Sequence, residues 1–402
     1  DMTPKEYLSK TCNCLKKPRL VESPKIYKQF NKLGSYILPE NKEPILILDC
    51  YTTRVYPRFI QLPDYKFVAW DNHFWDIYGR FLFMYFCYAN IGSKIPQSFF
   101  VNYYKSMLLV FLANRNEKYP AFSRYIAEEY SKMDMKFPHY NEYEDINDML
   151  DKIGHQQEFN SSRIFGFCHE ISHIAFRKNN KLSQVIQKSV ITYCECGKQL
   201  IEASKKYNLV PNDVDEEQAN EMLKIYSQIL SESDKRLLEE VCCDIMAIHV
   251  LFEYFKEECK MNPEQIDMSL SSIIYFWVCS SWLSSSEDFW NGMIQVYTDI
   301  RNDDAFVNKK NPYYNLGTNI TDEYAVRISF VSSYCMDKLE IKLFKNISDE
   351  VYRIGFVDIM EKARGIDIME NVLNKTKNAK TDYVHSIFHL KKKNQLIGWE
   401  NE

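Results

Sequence analysis

Breakers of regular structure are scarce in this chain: 11 glycines and 13 prolines serve 402 residues, about half the share of an average protein. A turn-rich all-β fold needs such residues to close its hairpins. Long helices are therefore the main building material. With 46% hydrophobic residues the chain can bury a large core, which excludes disorder and collagen-like structure. Its 50 basic side chains stand against 55 acidic ones, so it lacks the basic footprint that nucleic-acid binding requires.

Helical patterning is expected over Lys25 to Leu33, Phe74 to Ala89, Gln97 to Ala113 and Phe122 to Met133. Further helices are expected at 161–177, 182–206, 214–231 and 233–258, with Asp213 and Ser231 or Ser233 as caps. Asn262-Pro263 ends the last of these and opens another helix to about 283. Asp322 to Asn378 is helical again. Ile45 to Trp70, rich in β-branched and aromatic residues, is the one convincing β region. Residues 134–160 and 303–321 read as polar loops.

The expected class is thus α+β, predominantly α, in four segments that can also pack as one unit. These are 1–71 with the small sheet, a helical insertion at 72–160, a helical pair at 161–260 and a C-terminal helical region at 261–402. The lysine-rich first twenty residues do not resemble a signal peptide. The longest apolar runs, Phe81 to Ala89 and Ile273 to Leu283, are half the length that spans a bilayer. Most of the 12 cysteines fall inside helical segments, as expected of reduced thiols in a cytoplasmic protein without a transmembrane segment. Cys12/Cys14 and Cys194/Cys196 have a gap too short for a structural zinc pair.

Chemistry concentrates in FCHEISHIAF, where His169, Glu170 and His173 form a His-Glu-x-x-His pattern. On a helix, residues four apart share one face, so both imidazoles can reach one metal ion. Glu170 projects from the next position and can take a proton from a metal-activated water. The competing reading is an amphipathic helix with two incidental histidines, and a third ligand decides between them. Glu195, in YCECGKQ, is one candidate. Glu240, in LLEEVCCDIMAIHV, is the stronger one, because Asp244 lies one turn on and can accept a ligand histidine's free N–H. Carboxylates in so apolar a helix are costly to bury unless paired or bound to metal. Glu239 fits an acid favouring the helix dipole. His385 and His389 are also four apart but have no acid between them, and His73 and His249 are candidates only for reaching the cleft.

His-Glu-x-x-His followed 67 residues later by Glu-x-x-x-Asp resembles the gluzincin metallopeptidases, in particular the branch with the CAAX prenyl protease, the bacterial heat-shock protease HtpX and a mitochondrial protease. The resemblance covers about residues 160–256. It implies a zincin-like core in which His169, His173 and Glu240 bind Zn2+, Glu170 is the general base and Asp244 orients a histidine. In TDEYAVRISF, Arg327 stands where that branch carries an arginine, but Thr321-Asp322 replaces its His-Pro. Arg327 and His249 are candidates for a substrate or oxyanion contact. The implied function is a soluble zinc endopeptidase acting on a protein or peptide, one variant being a toxin-like or phage-exclusion protease with a single host target. The alternative is a catalytically silent interaction or regulatory module with a structural metal site.

Overall fold

A computed structural model describes residues 2–11, 14–20, 24–41, 45–52, 56–115, 146–207, 216–231, 235–284, 322–342 and 355–363, with single positions 286, 347 and 350. The expected helix at Phe122 to Met133, the 303–321 loop, Asp213, Ser233 and the 385/389 histidine pair lie outside the described residues.

The β region resolves into β2 (Leu46–Thr52), β3 (Arg58–Gln61) and β4 (Lys66–Asp71), joined by β1 (Cys14–Leu20). The sheet order is β1-β2-β4-β3. The central pair β2/β4 is parallel, and both edge strands are antiparallel to their neighbours. Strand β1 is a correction, since it lies outside Ile45 to Trp70, the one stretch expected as β. Its sequence CLKKPRL does not alternate and carries a proline, but an edge strand tolerates both proline and lysine.

Alternation sorts the sheet's two faces. Ile47, Val68 and Trp70 face the main core. Leu48, Cys50, Ile60, Phe67 and Ala69 pack with Leu8 from α1 (Pro4–Thr11) on the other side. Strand β4 runs straight into α3 (Asn72–Ile91). Asp71 caps that helix by accepting from the backbone N–H of His73, and it also accepts from both the N–H and the hydroxyl of Thr52. Burial pushes Asp71 up to about 6, and its bonds from Thr52 and His73 oppose that shift, offsetting part of the cost of an acid inside the protein.

The remaining helices are α2 (Pro24–Ile37), α4 (Gln97–Arg115), α5 (Ile146–Lys152), α6 (Gln156–Arg177), α7 (Lys181–Lys206), α8 (Glu216–Ile229), α9 (Lys235–Glu257) and α10 (Pro263–Ser271). They are followed by α11 at 273–284, α12 (Asp322–Leu339) and α13 (Phe356–Ala363). Helix α5 and the first turn of α6 occupy part of the stretch expected as loop. Met149, Leu150 and Phe159 are buried and anchor that otherwise polar stretch. Asn262 forms a capping box with Gln265, with Pro263 in the first turn of α10, as its sequence predicts. Helices α10 and α11 together span Pro263–Ser284, long and apolar enough by length and composition to cross a membrane, and 72% of the most apolar part of this span is buried inside the protein.

One cluster of buried apolar side chains runs from Phe30 to Ala363, so sheet and helices share a core. Helix α6 lies within it, packed chiefly on α9, with α2, β3 and α3 around it. Phe167 stacks on Phe30 at 4.3 Å. Gly166 lets α6 approach α3: a Cβ there would sit 3.0 Å from the Trp75 ring. Asn179, at φ 50°, takes the left-handed conformation that ends α6 and starts the turn into α7.

Candidate metal centre

Helices α6 and α9 face each other, and their polar residues meet in one place within the apolar packing. His169 and His173 lie one turn apart on α6, with ring centroids 5.0 Å apart. From α9, Glu240 reaches both. Its Oε2 is 3.2 Å from His169 Nε2 and its Oε1 is 3.8 Å from His173 Nε2. A tetrahedral ion with bonds of about 2.0–2.1 Å needs ligand atoms roughly 3.3 Å apart. The spacing fits, and His169, His173 and Glu240 form a group that could hold a metal ion.

A carboxylate lies at the other ring nitrogen of each imidazole. His169 Nδ1 is 2.9 Å from Asp244 Oδ1, and His173 Nδ1 hydrogen-bonds Glu239 Oε1 at 2.8 Å. A carboxylate on Nδ1 fixes the ring's orientation and leaves Nε2 for the metal. Asp244 thus stands where the sequence places it. Glu239 is a correction: its carboxylate holds His173, a role beyond favouring the helix dipole. The signal was present in the sequence, since Glu239 and Glu240 sit four residues before Cys243 and Asp244 and so share their face. Cys243 Sγ also lies 3.5 Å from His173 Nδ1, making His173, Glu239 and Cys243 a second ligand-like group.

Arg327 reaches the centre from α12. Its Nε and Nη2 donate to Asp244 at 2.7 and 2.8 Å, and Nη1 lies 3.3 Å from Glu240 and 3.5 Å from Glu323. Its partners are therefore the cluster's own carboxylates: Asp244 behind His169, Glu240 on the Nε2 side, and Glu323. His249 is not brought into the cluster: its ring packs edge-on to Tyr334 at 6.1 Å. Glu195 is exposed on α7 and apart from the centre. His73 is buried at the start of α3 with Nδ1 3.0 Å from the Thr52 carbonyl, and burial lowers it to about 4.

The charges are strongly coupled. Burial disfavours a charged His169, but Asp244 and Glu240 outweigh it and pull its pKa up to about 10. Burial likewise opposes ionisation of Glu240, yet His169, Arg327 and His173 hold it well below the usual carboxylate range. Asp244, fully buried, is held down by Arg327 and His169 against the same burial effect. His169 and Arg327 thus share the paired carboxylates Asp244 and Glu240 between them. Arg327→Ala would leave Asp244 short of a partner in a buried site. It should cost about 3–5 kcal/mol in urea denaturation, and a loss below about 1 kcal/mol would contradict this pairing.

Glu170 points away from α9, toward the sheet. Its Oε2 accepts from the backbone N–H of Phe59 on edge strand β3 at 2.8 Å. Burial raises its pKa, opposed by His169, His173 and the Phe59 N–H. Phe165 packs beside His169 and is itself backed by Phe276 and Trp277, giving the centre an apolar wall. Among the described residues, the fold and site define a mainly helical protein with a small mixed sheet and a histidine–carboxylate candidate metal centre. No family model, curated protein or solved structure matches the chain.

Proposed function

We propose that the chain is a zinc-dependent endopeptidase with a zincin-like core, in which His169, His173 and Glu240 hold the metal and Glu170 is the general base. One observation carries the reading. The His169, His173 and Glu240 group could supply three protein ligands, and a half-buried carboxylate, Glu170, stands on the same helix against a sheet edge. Catalytic zinc sites use three protein ligands and keep the fourth position open, whereas structural sites close it with a fourth. Cys243 is near His173 but on its Nδ1 side, away from the Nε2 atoms that converge on Glu240.

Zinc, when bound, supplies a Lewis acid for the scissile carbonyl and acidifies a water. The chain's own groups do the rest. Glu170, its pKa raised by burial, takes the proton of the attacking water and returns it to the leaving amine. Asp244 and Glu239 keep the imidazoles from turning. Strand β3 has a neighbour on one side only in the sheet order, so an extended peptide can add beside it and lie across Glu170.

Removal of metal tests this directly. Dialysis against a strong chelator should abolish hydrolysis of an unfolded protein substrate, and one equivalent of zinc should restore it. Hydrolysis that survives complete metal removal would overturn the proposal.

A further inference from the structure

Beyond the centre, a cavity of about 310 Å³ opens between the end of α2, the β3–β4 turn and the C-terminal end of α6. Its lining combines the buried Leu38, Ile45 and Ile174 with Pro63, Tyr65 and Asn41, and is more polar than apolar. Its rim carries Lys66, Lys178 and Asp64, all exposed. Two ammonium groups against one carboxylate leave the rim positive. No carboxylate pairs with either lysine among the described residues. Arg177 extends the positive seam, its guanidinium lying 5.7 Å from the Phe59 ring.

The place of this cavity relative to Glu170 can be measured on two elements. On α6, Ile174 is one turn and Lys178 two turns beyond Glu170, about 6 and 12 Å along the axis. On β3, Phe59 touches Glu170, and the strand then runs two residues, about 7 Å, before the turn that forms the cavity wall. Both rulers place the cavity about 6–12 Å from Glu170 along those elements, the length of about two to four residues of extended peptide. An antiparallel strand added to β3 would run from the turn toward Phe59. The cavity then receives a residue on the N-terminal side of the cut. Its volume lies at the low end of the range for binding pockets, which fits one side chain.

We infer that this cavity is the pocket that selects the substrate: it takes an aliphatic or aromatic side chain flanked by acidic residues. The inference rests on the endopeptidase reading for its role but on the cavity's own chemistry for its ligand. Lys66 and Lys178 are the specificity-determining residues, attracting carboxylates on either side of the inserted group.

The full-length zinc-loaded protein, incubated with a diverse peptide mixture, should cut sites having Leu, Ile or Phe beside Asp or Glu, two to four positions before the cut. Lys66→Glu with Lys178→Glu should shift the flanking preference from acid to base by roughly tenfold, from two reversed surface charges, with zinc content unchanged. A second arm uses Glu170→Gln and a fluorescent Glu-Leu-Glu peptide, read by anisotropy; the lysine changes should weaken its binding by roughly tenfold. Binding that shows this loss while the wild-type protein cuts nothing would support the pocket and overturn the peptidase reading. Cutting with no preference at those positions, together with peptide binding indifferent to the lysine changes, would overturn the pocket and leave the peptidase reading standing.

Discussion

Glu170→Gln should lower kcat for peptide hydrolysis by about 10²–10⁴-fold, the range for loss of a positioned general base, while the protein keeps its metal. Glutamine retains the shape and can still accept from the Phe59 N–H that holds Glu170 at 2.8 Å, but it cannot take a proton. The side chain projects toward β3, whereas the imidazoles converge on Glu240, so metal content should not follow activity. Parallel assays of kcat and bound zinc check this. A variant that loses zinc together with activity would place Glu170 among the ligands and contradict its assignment as base.

Glu240→Gln should weaken zinc binding by more than about 100-fold, since even the loss of a residue behind a ligand costs about 10–100-fold. Glu240 carries the charge that meets both Nε2 atoms. Its replacement also leaves Arg327 Nη1 facing a neutral amide across the present 3.3 Å contact. The pH dependence follows from the same cluster. Without metal, Asp244 and Glu240 overcome the burial effect and raise His169 to about 10. Zinc needs the neutral imidazole, so binding must displace that proton. Zinc affinity should therefore rise about tenfold per pH unit as pH increases toward 10 and fall as pH decreases. Competition with a coloured chelator between about pH 6 and 9 measures the slope. The folding contribution has the opposite sign. A histidine whose pKa is raised by folding stabilises the metal-free protein at low pH, and that contribution is lost as pH rises through about 10.

What could be read from sequence was what is local to one helix. His169 and His173, and likewise Glu240 and Asp244, are separated by one turn, and that spacing alone put each pair on one face. That the two faces meet is a tertiary fact, inferred only because acids in an apolar helix need a partner. Glu239 escaped because it is half-exposed near the start of α9 and its partner, His173, belongs to another helix. Arg327 was noticed by its position, but its two bonds to Asp244 depend on how α12 packs on α9. Strand β1 was missed for a different reason: its hydrogen bonds come from pairing with β2, which its own residues do not encode. Long breaker-poor stretches, by contrast, did forecast helices such as α7 and α9, because their propensity and their burial agree.

The central claim is that His169, His173 and Glu240 form one metal centre. Metal analysis of the purified full-length protein, set against a variant with all three replaced by alanine, tests it most directly. The account predicts about one zinc per chain in the wild type and none in the variant. Wild-type protein with no zinc after exposure to the free ion, or a variant that retains it, would contradict the account.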